Sequence, residues 1–326
     1  MLLLVQIRRT FFERLQLFTN ERLVMLPLLS QLFSRNLFAG LLALASAFVL
    51  GGSVAGCSKT TEPVDVYQAY LHIRPAWSPD GSTIAFTGLV RDTLGIYLVD
   101  TTGANLRLLR AGDGIGVTWS PDSRWIAFSS NDSLIAMTVN GDSVRSLTAG
   151  GSIRPSWSPD GYRIAFVKQS TGLSLLNVGS GAVVSLNRSR GDFPSWNPLT
   201  LELVYLEADP YASSQGILYE FKALDIPADT ARVLWTSLSQ YTLGFSSISP
   251  KGTELLVTLA GQGAYYSLHT ADVQLKTSKR LTDDGGDYGA WSPEGSRIVY
   301  TRTQEGDGAL WIMYADGSGK RRLTNP

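Results

Sequence analysis

From about residue 70 onward, short apolar segments alternate with short polar ones, and no segment has the 3.6-residue periodicity of an amphipathic helix. The apolar segments are rich in β-branched and aromatic residues, as in Thr83–Phe86, Glu202–Tyr205 and Arg297–Tyr300. Gly, Pro, Asp, Asn and Ser fill the polar segments between them. Short runs of this kind, separated by turn-forming residues, predict an all-β domain made of many short strands.

One phrase, Trp-Ser-Pro-Asp-Gly in its most complete form, marks a repeat in this domain. Its first position, the anchor position, occurs six times, at Trp77, Trp119, Trp157, Trp196, Ile248 and Trp291. The spacings are 42, 38, 39, 52 and 43 residues, and each interval has room for four short strands. A period of about 40 residues with four strands is typical of a β-propeller blade, whereas β-solenoid repeats are shorter. The sequence therefore predicts a six-bladed β-propeller of four-stranded antiparallel blades.

The phrase, followed by segments such as Ile84-Ala85-Phe86, resembles the PD40 (WD40-like) repeat of TolB-type β-propellers. The resemblance covers about residues 74–325 and implies the same propeller fold. In that family the namesake protein carries an α/β domain before its propeller and is soluble in the periplasm. Here residues 58–73 separate Cys57 from the repeats, so we expect that domain to be absent and the family's partner contacts not to transfer directly.

The repeated residues themselves are predicted to be structural. A large indole at the same place in each repeat suits the contact between neighbouring blades, and truncating a core Trp costs roughly 3–5 kcal/mol. Pro presets φ, Asp bonds nearby amides and Gly accepts positive φ, so Asp80, Asp122, Asp160 and Glu294 are predicted to be turn residues. We accordingly expect Trp157→Ala to lower the melting temperature sharply.

The segment before the repeats has the organisation of a secretory signal. Leu37–Leu50 is an apolar run, preceded by Arg35 and followed by small residues up to Cys57. A basic region, an apolar region and a small-residue cleavage site describe a signal peptide. Val54-Ala55-Gly56-Cys57 resembles the bacterial lipobox, which implies that Cys57 is lipidated and becomes the new N-terminus. The alternative is an incidental Cys at the end of a membrane-spanning segment.

The chain is therefore predicted to comprise a signal peptide at 1–56, a lipidated Cys57 with a tether at 57–69, and the propeller at 70–326. Met25 is a second candidate for the true start of the signal peptide. Ser58 rather than Asp follows the Cys, which by resemblance to enterobacterial sorting favours the outer membrane, facing the periplasm. Two or more acyl chains give stable membrane attachment.

Composition narrows the classes of function. The 326 residues include 28 Lys or Arg and 28 Asp or Glu, and a formal net charge of zero argues against nucleic-acid binding. A single Cys rules out a disulfide framework and a Cys metal cluster. The two His, His72 and His269, lack a metal-ligand spacing, and the sequence has no Gly-x-Ser-x-Gly elbow.

Binding residues are expected on the face where the repeats differ. Connections between the first and second strands, and between the third and fourth, form one face, the turn face. The remaining connections vary and form the opposite, variable face, and variable loops on a rigid scaffold are where binding usually occurs. A ring of residues three positions before each anchor position is predicted to line the channel mouth on this face: Arg74, Gly116, Arg154, Phe193, Phe245 and Tyr288.

Two arginines among three aromatic residues suit an anionic or carboxylate-bearing partner segment, bound bidentately through Arg. The alternative is that Arg74 and Arg154 are paired locally and the aromatic rings plug the channel.

The longest predicted loops on the variable face, 207–216 and 235–244, supply further candidates. Tyr and Trp are favoured in protein interfaces. The candidates are Tyr211, Trp235 and Tyr241, with ordinary loop drift as the alternative.

A Gly-rich acidic segment is a weak candidate for Ca²⁺ through Asp283, Asp284 and Asp287, and a solvated turn is the alternative. No other metal and no cofactor is predicted. We expect a non-enzymatic, lipid-anchored propeller that binds a protein or peptide in the bacterial cell envelope and does not bind nucleic acid. The alternative function is a carbohydrate- or small-ligand-binding propeller, including a metal-assisted lyase or hydrolase.

Overall fold

The computed structural model describes residues 72–213, 216–239, 243–260, 266–283, 285–302 and 308–324. These described residues form 24 β-strands in six four-stranded antiparallel sheets. Each sheet is one blade made from one continuous stretch of chain, so the blades follow one another in sequence order. The predicted six-bladed β-propeller of four-stranded antiparallel blades is confirmed. The predicted signal peptide, Cys57 and the tether lie outside the described residues.

Blades 1 to 3 are shorter and more regular than blade 4. Blade 1 consists of β1 (His72–Trp77), β2 (Thr83–Val90), β3 (Thr93–Asp100) and β4 (Arg107–Ala111). Blade 2 consists of β5 (Ile115–Trp119), β6 (Trp125–Ser130), β7 (Ser133–Thr138) and β8 (Val144–Ser146). Blade 3 consists of β9 (Ser152–Trp157), β10 (Arg163–Lys168), β11 (Gly172–Asn177) and β12 (Val183–Arg188).

Blade 4 has the longest strands. It consists of β13 (Gly191–Trp196), β14 (Leu203–Ser213), β15 (Gly216–Asp225) and β16 (Thr230–Ser239). Blade 5 consists of β17 (Leu243–Ile248), β18 (Glu254–Ala260), β19 (Tyr266–Asp272) and β20 (Ser278–Arg280). Blade 6 consists of β21 (Asp287–Trp291), β22 (Arg297–Thr301), β23 (Leu310–Tyr314) and β24 (Arg321–Arg322).

The position of a strand within its blade explains its residue pattern. The first strands lie innermost and contact one another in a closed ring around the channel. The second strand is covered on both faces by neighbouring blades, and in β2 the residues from Ile84 to Gly88 are all buried. A strand covered on both faces has a continuous apolar run instead of an alternating one, which accounts for the repeated Ile-Ala-Phe. The outermost strand faces solvent, and β8 is exposed along its whole length.

The anchor side chains pack between blades, as predicted. Trp77 of blade 1 shares a buried cluster with Leu310 of blade 6, so the ring closes by side-chain packing. Trp196 of blade 4 packs with Leu173 of blade 3. The indole of Trp196 also donates a hydrogen bond across the blade interface to the Ser156 carbonyl, at 3.0 Å.

Trp157 differs from the other anchor tryptophans. The other four are at most 9% exposed, whereas Trp157 is only partly buried at the edge of its cluster. Its indole donates to the carbonyl of Gly161, in its own turn, at 3.2 Å. Trp157 therefore still packs between blades 2 and 3, as predicted, but it is less buried than the other anchor tryptophans.

The acidic residues of the phrase are turn residues, as predicted. The Asp80 carboxylate accepts hydrogen bonds from the Ser78 hydroxyl at 2.6 Å and the Ser82 amide at 2.9 Å, and Gly81 has a φ of 75°. These bonds, led by that from Ser78, hold the pKa of Asp80 below its ordinary value. Side-chain hydroxyls donate in the same way to the carboxylates of Asp122, Asp160 and Glu294.

No helix that could cross a bilayer occurs in the part of the chain that the structure describes.

Candidate functional site

Every blade has a β-bulge in its innermost strand, just before the anchor position. In blade 1, Ile73 pairs with Thr87 and Ala76 with Ala85, so two residues, Arg74 and Pro75, lie opposite one. The register shifts at the same place in the other five blades. A bulge redirects a side chain and often lies next to a functional site. In this protein the bulge lies at the residue three positions before the anchor position, which is the position predicted to line the channel mouth.

Five of the six ring residues have a left-handed backbone. The φ angles are 53° at Arg74, 70° at Gly116, 55° at Arg154, 50° at Phe193 and 47° at Tyr288. For a residue with a side chain this conformation costs of order 1–3 kcal/mol. The same five residues line one cavity of about 110 Å³ at the end of the channel. The structure thus brings together Arg74, Arg154, Phe193 and Tyr288, while the side chain of Phe245 lies outside the described part.

The two guanidinium groups stack on the two aromatic rings. The Cζ atom of Arg154 is 4.2 Å from the ring centre of Phe193. The Cζ atom of Arg74 is 4.9 Å from the ring centre of Tyr288 and 5.7 Å from that of Phe193. Cation–π contacts of this kind gain strength where water is excluded, and the Arg154 side chain is only 12% exposed.

Two carboxylates complete the site, one that the sequence analysis did not select (Asp192) and one that it selected only as a Ca²⁺ candidate (Asp287). Asp192 and Asp287 each lie one residue before a ring residue, in β13 and β21. Nη1 of Arg154 donates to both carboxylate oxygens of Asp192, each at 2.6 Å. Blades 1 to 3 have Ile73, Ile115 and Ile153 at this position. The signal in the sequence is therefore an acidic residue where three other repeats have Ile and blade 5 has Gly244. We call Arg74, Arg154, Asp192, Phe193, Asp287 and Tyr288 the channel-mouth cluster.

Burial shifts the pKa values of two residues in the channel-mouth cluster, Asp287 and Arg154. Asp287 is 8% exposed and accepts a hydrogen bond from the Tyr288 amide at 2.8 Å. Desolvation raises its pKa to about 6, against the opposing effects of that amide, Arg74 and Thr258. Burial also lowers the pKa of Arg154, which the Asp192 carboxylate opposes and Arg74 reinforces. Arg154 thus has the local pairing that was the alternative interpretation from the sequence.

The two described candidates from the predicted long loops are on strands, and this corrects the prediction. Tyr211 belongs to β14 and Trp235 to β16, because the ladders of blade 4 continue well beyond those of the other blades. Tyr211 is 86% exposed. Trp235 is partly buried and packs on Phe221, with ring centres 5.5 Å apart. Tyr241 lies outside the described residues.

The acidic candidates for Ca²⁺ have different surroundings. Asp283 is exposed and pairs with Arg280 at 3.1 Å, whereas Asp287 belongs to the channel-mouth cluster. Asp284 lies outside the described residues. Within the described ranges, no group of three or more His, Cys, Asp or Glu side chains is arranged to hold a metal ion.

The fold and the repeat define a class, the six-bladed β-propellers with one continuous chain segment per blade. Within that class, the family model described as PD40, TolB beta propeller domain, matches residues 59–223, which are 165 of the 326 residues. The chain belongs to this family.

Curated relatives match over one short region. The Tol-Pal system protein TolB of Anaeromyxobacter dehalogenans strain 2CP-C is 37% identical over 78 residues, which are 23% of this chain and 18% of that protein. TolB of Anaeromyxobacter sp. strain K is 36% identical over 78 residues, which again are 23% of this chain and 18% of that protein. The match thus spans less than a fifth of the length of these relatives.

Solved structures extend the likeness of the fold to most of the chain. TolB from Acinetobacter baumannii has a TM-score of 0.60 at 18% identity, covering 77% of this chain and 62% of that one. An oligogalacturonate lyase in complex with manganese has a TM-score of 0.54 at 14% identity, covering 78% of each chain. At these identities the likeness concerns the fold alone.

Proposed function

We propose that this protein is a non-catalytic, lipid-anchored scaffold of the bacterial cell envelope that binds an anionic protein or peptide segment at the mouth of its channel. The observation that carries the proposal is the channel-mouth cluster, in which two guanidinium groups stack on aromatic rings at the edge of a small cavity. Membership of a family that includes Tol-Pal system proteins supports a place in the envelope.

The cost of building the cluster supports a binding role. Arg74, Arg154, Phe193 and Tyr288 adopt a backbone conformation that is strained for residues with side chains. Buried charge pairs also add little net stability, because desolvation offsets much of their attraction. Strain and buried charge concentrated beside a cavity favour recognition over folding as the reason for the arrangement.

The chemistry of the cluster favours an anionic segment. Guanidinium groups bind carboxylates through planar pairs of hydrogen bonds. A partner carboxylate that approaches Arg154 competes with Asp192 for the same donors, so binding is an exchange of one carboxylate for another. A cavity of about 110 Å³ admits a side chain or a chain end, whereas drug-sized ligands need roughly 300 Å³ or more.

Capture of an envelope protein tests this proposal. The full chain is expressed in its membrane, crosslinked and purified, and bound proteins are identified by mass spectrometry. Arg154→Glu should remove the captured partner while the melting temperature shows that the domain is folded. Arg302→Glu is the matched control, because Arg302 also stacks on an aromatic ring, Trp311 at 4.7 Å, and neither residue is among those that line the channel-mouth cavity. Equal capture by wild type and Arg154→Glu would refute the proposed site.

Lipid attachment is tested separately. Cells grown with a labelled fatty acid should yield labelled protein, and Cys57→Ser should remove the label and release the protein from the membrane. Labelled Cys57→Ser protein would contradict attachment at this residue. Turnover of a captured peptide or glycan by the purified protein would contradict the non-catalytic part of the proposal.

A further inference from the structure

A second cavity lies on the turn face, where the sequence predicts only scaffold. It measures about 550 Å³ and lies between blades 2 and 3. This volume is within the range of roughly 300–1,000 Å³ that ligand sites occupy. We call it the inter-blade groove. Its wall includes two tryptophans, Trp125 and Trp157, and the turn that joins β11 to β12.

The groove exists because Trp157 does not fill the blade interface. Its indole bonds to Gly161 in its own turn, whereas the indole of Trp119 bonds across the interface to Ala76, at 3.0 Å. The backbone amide of Trp157 instead donates to the hydroxyl of Thr118 in blade 2, at 3.0 Å. The indole of Trp157 is consequently part of the groove wall.

Trp125 supplies the second ring and a reason for the displacement. It lies six residues after its anchor position, as Arg163 does in the next blade. The guanidinium of Arg163 lies over the following anchor ring, Trp196, at 4.9 Å. In blade 2 the equivalent residue is Trp125, and its indole and that of the following anchor residue, Trp157, both line the groove. Arg145 stacks on Trp125 at 4.7 Å and orients that ring.

The polar groups of the groove wall favour an uncharged ligand. The Asp122 carboxylate accepts hydrogen bonds from the Ser120 hydroxyl and the Arg124 amide, at 2.6 and 3.1 Å. The Asp160 carboxylate is paired with Arg163 at 3.1 Å. Both carboxylates thus have partners in the protein, and the third charged group of the wall, the guanidinium of Arg145, lies on the ring of Trp125. A charged ligand therefore gains little by entering. Hydroxyl, amide and peptide groups lie along the rim, at Ser146, Asn177, Ser180 and the neighbouring glycines, with the Ser180 hydroxyl donating to Oδ1 of Asn177 at 3.0 Å.

A sugar ring has the matching chemistry. One of its faces is made of C–H groups and can lie on an indole, while its hydroxyl groups point outward to hydrogen-bonding partners. We propose that the inter-blade groove binds a neutral glycan, with a sugar ring against Trp125 and Trp157 and its hydroxyls toward Asp122, Asn177 and Ser180. This site is separate from the channel-mouth cluster and does not depend on the peptide-binding function proposed above.

The test measures binding of three neutral trisaccharides, chitotriose, cellotriose and maltotriose, to the purified full chain by calorimetry and tryptophan fluorescence. At least one should bind with a fluorescence change. Trp125→Ala should raise its Kd at least tenfold, equivalent to about 1.4 kcal/mol. Trp125→Phe should recover part of the affinity because it restores an aromatic face.

Control variants separate this site from others. Trp311→Ala removes a partly buried Trp with the same Arg stacking in blade 6 and should leave glycan binding unchanged. Arg154→Glu at the channel mouth should also leave it unchanged. Absence of binding by all three sugars at millimolar concentration would overturn the proposal. Equal affinity of Trp125→Ala and wild type would overturn it too, as would Trp125-dependent binding of a proline-rich peptide with no binding of the sugars.

Discussion

Replacing two anchor tryptophans by Ala should have clearly unequal effects on stability. Trp196 is 6% exposed and donates across the blade interface to Ser156 at 3.0 Å. Removing a buried indole costs roughly 3–5 kcal/mol, and the carbonyl that loses its donor adds about 1 kcal/mol. We therefore expect Trp196→Ala to cost about 4–6 kcal/mol.

Trp157→Ala should cost about half as much, roughly 2–3 kcal/mol. Its indole already borders the inter-blade groove, so truncation enlarges an existing cavity instead of opening a new one, and the cavity contribution to the loss is smaller. Its hydrogen bond is to its own turn. The sequence alone predicts a sharp loss of stability for Trp157→Ala. From the structure we expect a moderate loss for this variant and the sharp loss for Trp196→Ala.

Urea unfolding and calorimetry of the full chain measure both effects. For domains of this size a loss of 1 kcal/mol lowers the melting temperature by about 2–4 °C, so the two variants should differ by roughly 5–10 °C. Trp119→Ala is the matched control and should behave like Trp196→Ala, because Trp119 is 8% exposed and bonds across its interface in the same way. A loss at Trp157 as large as that at Trp196 would refute this reasoning and imply that the groove is closed in solution.

Three further predictions concern the channel-mouth cluster. The pKa of Asp287 rises from 3.8 to about 6 on folding, so this carboxyl favours the fold below pH 4 and that contribution is lost as pH rises through 6. Asp287→Asn should therefore raise the free energy of unfolding by about 3 kcal/mol at pH 7.5 and not at pH 4, measured by urea titration. Asp192→Ala should cost roughly 3–5 kcal/mol, because it removes the carboxylate paired with buried Arg154, and Asp192→Ala with Arg154→Met should recover most of the loss in the same assay. An anionic peptide bound at the mouth should bind more tightly at pH 5 than at pH 7.5, because Asp287 loses its charge, and calorimetry on Asp287→Asn should show no such dependence.

The fold could be predicted from the sequence because the repeat supplies the same information six times. Each copy places an apolar strand after a tight turn, and the count of anchor positions equals the count of blades. The ring at the channel mouth could be predicted as well, since it needs only a fixed offset from the anchor position. Arg74, Arg154, Phe193 and Tyr288 were selected in this way and lie together in the structure.

Features that depend on contacts between repeats could not be predicted in this way. Asp192 became part of the site through its pairing with Arg154 of the preceding blade, which no offset within one repeat reveals. In blade 4, Asp209-Pro210 and the polar residues after it suggest a loop, yet Glu207 and Glu220 both pair with Lys222 at 2.9 Å, and the β14–β15 ladder continues past them. Local turn propensity was outweighed by cross-strand contacts.

Each of the two proposed sites lies where one blade carries a residue that the equivalent positions of other blades lack, so the other blades serve as internal comparisons. Six blades of one geometry give every position five internal comparisons, so a residue that departs from its equivalents stands out. At the position before the ring, Ile in blades 1 to 3 is replaced by Asp192 and Asp287 in blades 4 and 6. Six residues after the anchor position, blade 2 alone has Trp, at Trp125. An Asp in a buried ring costs stability that Ile does not, and an indole beside another indole displaces it. Asp287→Ile should accordingly stabilise the fold at pH 7.5 and, like loss of the Asp287 charge, strengthen anion capture. Trp125→Thr, which introduces the residue of blade 1, should close the groove and let Trp157 pack as Trp119 does. The test is the exposure of Trp157 to a fluorescence quencher. If Trp125→Thr left that exposure unchanged, Trp125 would not be the reason that Trp157 is partly exposed, and this explanation of the groove would fail.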